Sequence, residues 1–226
     1  MRAVKRAASI SVMLFVLAAC SFGTTPAEDM YEHLEESLAL EQGFQEQQEP
    51  LVELEEKEQQ IYEEIITYTT EEMDKISALA EEGLNVIEER EELLLKEKES
   101  MEASEEQFKN VQPLVDELET DELKQAAEEL IAVIEERYAT YQSLHEVYMK
   151  ALTLEKEMYT MITDEDMTMD AFTEQVNKIN TSYEEISGLN STFNDLTNQY
   201  NTLKPAFYEL AELDVTFEKQ GEEAAA

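Results

Sequence analysis

Beyond residue 25 the apolar residues return every three or four positions, in four long runs separated by short polar breaks. That spacing gathers them on one stripe of a helix, the stripe that faces a bundle core. The first run, about residues 26–67, carries Leu34, Leu38, Leu40 and Phe44 in its first half. Its second half reads Leu51, Leu54, Glu58, Ile61 and Ile65, with Tyr68 just past its end. The second, about 70–118, steps through Met73, Ile76, Ala80, Gly83, Ile87, Arg90, Leu94, Glu97, Met101, Ser104, Phe108, Val111, Val115 and Leu118. The third, about 121–163, steps through Ile131, Ile134, Tyr138, Tyr141, His145, Tyr148, Leu152, Glu155, Tyr159 and Ile162. The fourth, about 168–213, is best ordered from Ile186 through Leu189, Phe193, Leu196, Tyr200, Leu203 and Phe207 to Leu210.

Four runs of similar length with short connections predict an all-α fold: an elongated up-and-down bundle of about four long antiparallel helices. The other arrangement open to this pattern is a three-helix body with the first segment split and only partly docked. Local signals place the boundaries. Pro26 suits a first helical turn, where its missing N–H has no partner to lose. Thr69 or Thr70, Thr120 and Thr168 precede the later runs as N-caps. Pro50 removes a backbone bond and crowds the preceding turn, so a kink or break is predicted near Gln48 to Pro50.

Composition sharpens this picture. The chain of 226 residues has only five glycines and four prolines, and 54 acidic against 16 basic residues give a net charge of −38. Few turn formers and abundant Glu, Leu and Ala favour few, long helices. At 42% hydrophobic it retains enough apolar surface to fold. A polyanion of this strength repels nucleic acid and anionic headgroups, which recruit Lys and Arg, so nucleic-acid binding is excluded.

The first 19 residues break the pattern. A basic "MRAVKR" leads into "AASISVMLFVLAA", an apolar run of 13 residues, and then to Cys20, the single cysteine. A spanning helix needs about 20 apolar residues, so this is an export signal. Leu17, Ala18, Ala19 and Cys20 match the bacterial lipobox, in which the cysteine sulfur takes a diacylglyceryl group and becomes the new N-terminus. Two acyl chains give the double signal that stable anchoring needs. The predicted organisation is a signal peptide over 1–19, a lipidated cysteine and spacer over 20–25, a helical bundle over 26–213 and an acidic flexible tail over 214–226.

Catalytic chemistry finds no foothold in the motifs. Carboxylates are everywhere, so pairs of them carry no information, and the short connections build no obvious glycosidase cleft. The residues three before His33 and His145 are Met30 and Gln142, which removes the Glu-x-x-His of di-iron bundles. HExxH, GxSxG and phosphate-binding glycine loops are absent as well. No catalytic residue, metal ligand or cofactor is therefore expected. His145 reads as a hydrogen-bonded core residue or a register marker, not as a ligand. Tyr138, Tyr141, Tyr148 and Tyr159 read as core at a and d spacing, not as an exposed sugar platform. Met158, Met161, Met167 and Met169 read as filler at one bundle end. Arg90, Glu97, Glu58 and Glu155 are expected at seam edges reaching solvent, because an unpaired buried charge is expensive. A buried Arg90 touching a carboxylate from another helix would argue for a network instead.

The lipobox, the run "PAEDMYEHLEESLALEQGFQEQQEPLVELEEKEQQIYEEI" and the later "EEREELLLKEKESMEASEEQF" together resemble the YkyA-type lipoproteins of Gram-positive bacilli, a family described as cell-wall binding. The likeness runs in order from about Pro26 to Leu213. It implies a membrane-anchored envelope protein with a helical body and no catalytic residues to transfer. The expectation is thus a non-enzymatic lipoprotein at the extracytoplasmic face of the cell membrane. Lipid on Cys20 holds it there, and the rod contacts wall polymer or an envelope protein through a helix face or bundle tip. The alternative is a solute- or cation-binding lipoprotein. Oligomeric state stays open, since heptad seams can be shared between chains.

Overall fold

Thr25 starts the bundle with a reciprocal cap. Its hydroxyl accepts from the Glu28 N–H at 3.2 Å, and the Glu28 carboxylate accepts from the Thr25 N–H at 2.7 Å. Two donors that the first turn leaves free are satisfied at once. The computed structural model describes residues 24–215 except Glu165. Within them lie five helices and no strand: α1 (Pro26–Leu40), α2 (Gln42–Ile65), α3 (Met73–Phe108), α4 (Asp121–Ile162) and α5 (Met169–Leu210). Helices α1 and α2 run nearly end to end as one rod. That rod, α3, α4 and α5 alternate in direction, so the fold is the expected up-and-down bundle, with α4 and α5 each about 60 Å long. Thr120 and Thr168 cap α4 and α5 as predicted, accepting from the N–H groups of Leu123 and Ala171. Thr69 and Thr70 do not cap α3; a short 3-10 turn, Thr70–Glu72, leads into it without a side-chain cap.

The predicted break at Pro50 is absent. Helix α2 continues through it, because burying Leu51, Ile61 and Ile65 against α3 outweighs the one backbone bond that proline deletes. The rod is interrupted nine residues earlier, at Glu41. In an unbroken helix the Phe44 N–H would bond the Leu40 carbonyl. Here Ser100 of α3 inserts its hydroxyl between them, accepting from Phe44 N–H at 3.0 Å and donating to Leu40 O at 2.6 Å. An inserted side chain is a recognised cause of helix bending. Gly43 makes room for it: a β-carbon there would lie 3.0 Å from Ser100 Cβ.

The core has two apolar halves. One, around Met30, Leu34, Phe108, Val111, Leu130 and Phe207, occupies the end where α1 begins. The other, around Ile61, Val86, Ile87, Leu152, Tyr159 and Ile186, fills the opposite end. Helix α5 also runs through a proline, Pro205, to bury Phe207 and Tyr208. Glu212 then takes a left-handed φ of 53°, and Leu213 N–H bonds back to the Tyr208 carbonyl at 3.1 Å. This closure folds Val215 onto the bundle.

At Gly83 the ring of Tyr159 from α4 packs directly against the α3 backbone. A β-carbon there would sit 2.5 Å from two ring atoms of the fully buried Tyr159. Alanine favours helix over glycine by about 1 kcal/mol, but overpacking a core costs about 1–3 kcal/mol. The ring is enclosed and cannot swing away, so Gly83→Ala is expected to destabilise by about 1–2 kcal/mol in urea denaturation. A stabilised variant would show that the ring yields.

Candidate functional site

Helix α3 carries Arg90 into the middle of the bundle, where its side chain is 1% exposed. All the other long helices meet it. Glu58 of α2 pairs with one guanidinium nitrogen, and Glu155 of α4 accepts from the same nitrogen at 3.0 Å. The other nitrogen reaches Tyr148 Oη at 3.1 Å, Tyr183 Oη at 2.7 Å and, more weakly, Glu55 at 3.5 Å. Tyr183 of α5 in turn donates to Glu155 at 2.6 Å. The expectation that Arg90, Glu58 and Glu155 reach solvent at a seam edge is therefore wrong. Their charges are buried because each finds its partner on another helix. The balance is uneven, with three carboxylates around one cation. Burial first, and then the charge of Glu155, pushes the Glu58 carboxyl above its ordinary range, and burial does the same to Glu155. Glu97 is buried too, and accepts from the Gln48 amide of α2. With no cation beside it, burial followed by the charge of Glu55 raises its pKa to about 8.

A second polar knot lies nearer the α1 end. Arg137 of α4 grips Glu41 through both carboxylate oxygens at 2.7 Å and donates from Nε to Thr197 of α5 at 2.8 Å. Its guanidinium lies 4.5 Å from the Phe193 ring centre. Ser104 of α3 donates to the Ser37 carbonyl at 2.8 Å and lies 2.7 Å from Tyr138 Oη. Glu41 continues the buried stripe of Met30, Leu34 and Ser37 at steps of four, three and four, which faces its carboxylate inward. Bidentate geometry makes such a pair specific in orientation as well as in charge.

Above this knot the bundle is open. Neither α1 nor α2 packs extensively against α5, and the gap is a cleft of about 1110 Å³. Tyr31, Phe44 and Gln48 stand on one wall; Asn190, Asn194 and Asn201 stand on the other, with Arg137 between. A smaller cleft of about 430 Å³ lies further along the α2–α5 gap, beside Arg90 and Tyr183.

Other expected residues fall as follows. Tyr138, Tyr141, Tyr148 and Tyr159 are all core, as read. His145 is buried and stacked on Tyr141 at 6.3 Å, but its Nδ1 has no hydrogen-bond partner, contrary to expectation. Burial, and then Lys98, holds its pKa down, so the ring stays neutral. Met158 is buried whereas Met169 is 69% exposed. Among the described residues no group of three or more His, Cys, Asp or Glu is placed to hold a metal ion, and no helix is long and apolar enough to cross a membrane. Leu17, Ala18, Ala19 and Cys20, and residues 216–226, lie outside the described residues.

Residues 25–210 match the sequence profile of YkyA, described as "Putative cell-wall binding lipoprotein". The chain belongs to the YkyA family. Within it, the chain is 33% identical over 189 residues to the "Uncharacterized lipoprotein YkyA" of Bacillus subtilis (strain 168), an alignment covering 81% of this chain and 84% of that one. The fold recurs in a crystal structure of a conserved protein of unknown function from Staphylococcus aureus. The TM-score is 0.71 at 17% identity, over 80% of this chain and 91% of the other. At that identity the likeness concerns the fold.

Arg137, Glu41 and the amide wall of the cleft do not stand out as site residues in the sequence. Arg137 sits beside the seam residue Tyr138, where a solvated position is the usual outcome. The amide wall did leave a signal. Six of the eight asparagines fall in α5, at 177, 180, 190, 194, 198 and 201, although asparagine is a poor helix former.

Proposed function

We propose that this YkyA-family protein is a non-enzymatic lipoprotein, fixed by lipid on Cys20 to the extracytoplasmic face of the membrane, whose helical rod binds the cell wall or an envelope partner. The observation that carries the binding reading is the cleft between α1/α2 and α5. A bundle that merely needed stability would close this gap with apolar side chains; here it holds exposed amides, half-buried rings and paired charges. Support for the anchor comes from the lipobox and from the family's description as lipoproteins. Helix α1 begins six residues after Cys20, so the cleft would stand in the membrane-near half of the rod.

Two measurements on protein from the membrane fraction test this. Mass spectrometry is expected to find residues 1–19 gone and a thioether lipid on Cys20; an unmodified Cys20 ends the anchoring reading. Purified wall is expected to carry the full chain into the pellet, with divalent cation varied to separate direct from bridged contact. Failure to associate with wall or with any envelope protein ends the binding reading.

A further inference from the structure

Resting on that reading, we propose that the cleft between α1/α2 and α5 is a site for a neutral polysaccharide strand bearing acetamido groups. One wall of the cleft is lined with side-chain amides. Asn190, Asn194, Thr197 and Asn201 recur on one face of α5 at steps of four, three and four. The side-chain amides of Asn190, Asn194 and Asn201 are exposed and make no hydrogen bond among the described residues. The solvated faces of α1 to α4 are built mainly from glutamate, a better helix former, while α5 carries exposed asparagines both in the cleft and, at 177 and 198, outside it. An amide offers two donors and an acceptor, which match a sugar hydroxyl and both ends of an acetamido group.

Charge in the cleft favours a neutral ligand. Both cations in the cleft are already used: Arg137 by Glu41 and Thr197, and Lys204 by Glu35 at 2.7 Å. Each partner carboxylate is neutralised in the same contact. The cleft is thus electrically balanced in a chain of charge −38. An anionic polymer would meet a repelling body and no spare cation, so the fit is to a neutral ligand. A helix from another protein would need an apolar groove, and the α5 wall presents amides instead.

Tyr31 and Phe44, each half-buried and packed against Tyr208 and Phe193 of α5, leave part of their apolar ring surface lining the cleft. Sugar rings have apolar C–H faces that pack on such surfaces. Asn190 and Asn201 are about 16 Å apart along the helix axis, room for a short run of sugar rings.

The full-length chain in detergent, titrated calorimetrically with a soluble hexamer of β-1,4-linked N-acetylglucosamine, is expected to bind saturably and with little dependence on salt. The glucose hexamer of the same linkage, which lacks acetamido groups, is expected to bind at least tenfold more weakly. Asn194→Ala with Asn201→Ala should weaken binding at least tenfold. Asn177→Ala with Asn198→Ala makes the same change in helix propensity away from the cleft and should leave binding intact. No binding by the parent chain, or equal effects of the two variants, overturns the assignment. Wall sedimentation on the same preparations separates the two levels. If wall pellets the parent and the cleft variant equally, the glycan site is wrong and wall binding stands; if it pellets neither, and the hexamer does not bind, the binding reading fails as well.

Discussion

Arg90→Met is expected to destabilise the bundle by about 3–5 kcal/mol at pH 8, the range for breaking a buried ion pair from one side. The substitution leaves Glu58 and Glu155 buried with no cation between them. Tyr148 and Tyr183 also lose the donor that their hydroxyls accept from. Each carboxylate must then either stay ionised in a dry interior or take a proton that is scarce at pH 8. Acid relieves this. At pH 5 the two groups, whose pKa values burial already raises, protonate readily, so the deficit relative to the parent should shrink. Arg90→Met combined with Glu58→Gln and Glu155→Gln removes the stranded charges and should recover much of the loss. Urea denaturation of the three proteins at both pH values decides it. A loss below about 1 kcal/mol at pH 8 would mean that water reaches the cluster and the charges are not confined.

Glu97→Gln is expected to do the opposite: it stabilises at alkaline pH. The Glu97 carboxyl titrates near pH 8 in the folded protein, against an ordinary value of 4.5. Between those values the native state holds a proton that the unfolded chain has released, so this group's contribution is full below about pH 4.5 and is lost as pH rises towards 8. Each pKa unit is worth about 1.4 kcal/mol, so a rise from 4.5 to about 8 places the gain at pH 8.5 on the order of 5 kcal/mol. The substituted amide would stay neutral at every pH, and its carbonyl can still accept from Gln48. The groups facing Glu97 do not mask the effect. Burial holds the Tyr141 hydroxyl protonated, and Glu55 is unchanged by the substitution. The comparison is the difference between variant and parent at pH 5 and 8.5, because the many exposed glutamates affect both alike. Parallel pH profiles would show that Glu97 is solvated.

These two residues show where sequence reading stops. Arg90 and Glu97 stand in plain view on the seam of α3, and the heptad spacing places them on the inward face. What the spacing lacks is the identity of the residue opposite. Without Glu155, 65 positions away, or Gln48, 49 positions away, a seam charge is most economically placed at a solvated edge. The same gap explains the misplaced break. Pro50 is a local signal, but the hydroxyl that bends the rod belongs to Ser100, 60 residues from the carbonyl it binds.

The sequence by itself determined what depends on near neighbours. Periodicity set four helical segments, because a helix brings residues three and four apart onto one face. Thr120 and Thr168 fixed two starts, because a cap bonds the N–H three residues on. The basic, apolar and Ala-Ala-Cys order around Cys20 is likewise a linear signal, and the anchoring proposal rests on it. Only the tertiary structure decided which helices face each other. That choice buried Arg90 and Arg137, moved the break from Pro50 to Glu41, and left α5 bridged to α1 and α2 by side chains without close helix packing. The cleft exists because those helices do not pack closely. Its amides were legible as an excess of asparagine, but whether they face solvent, core or a ligand depends on how whole helices pack, and that no local pattern encodes.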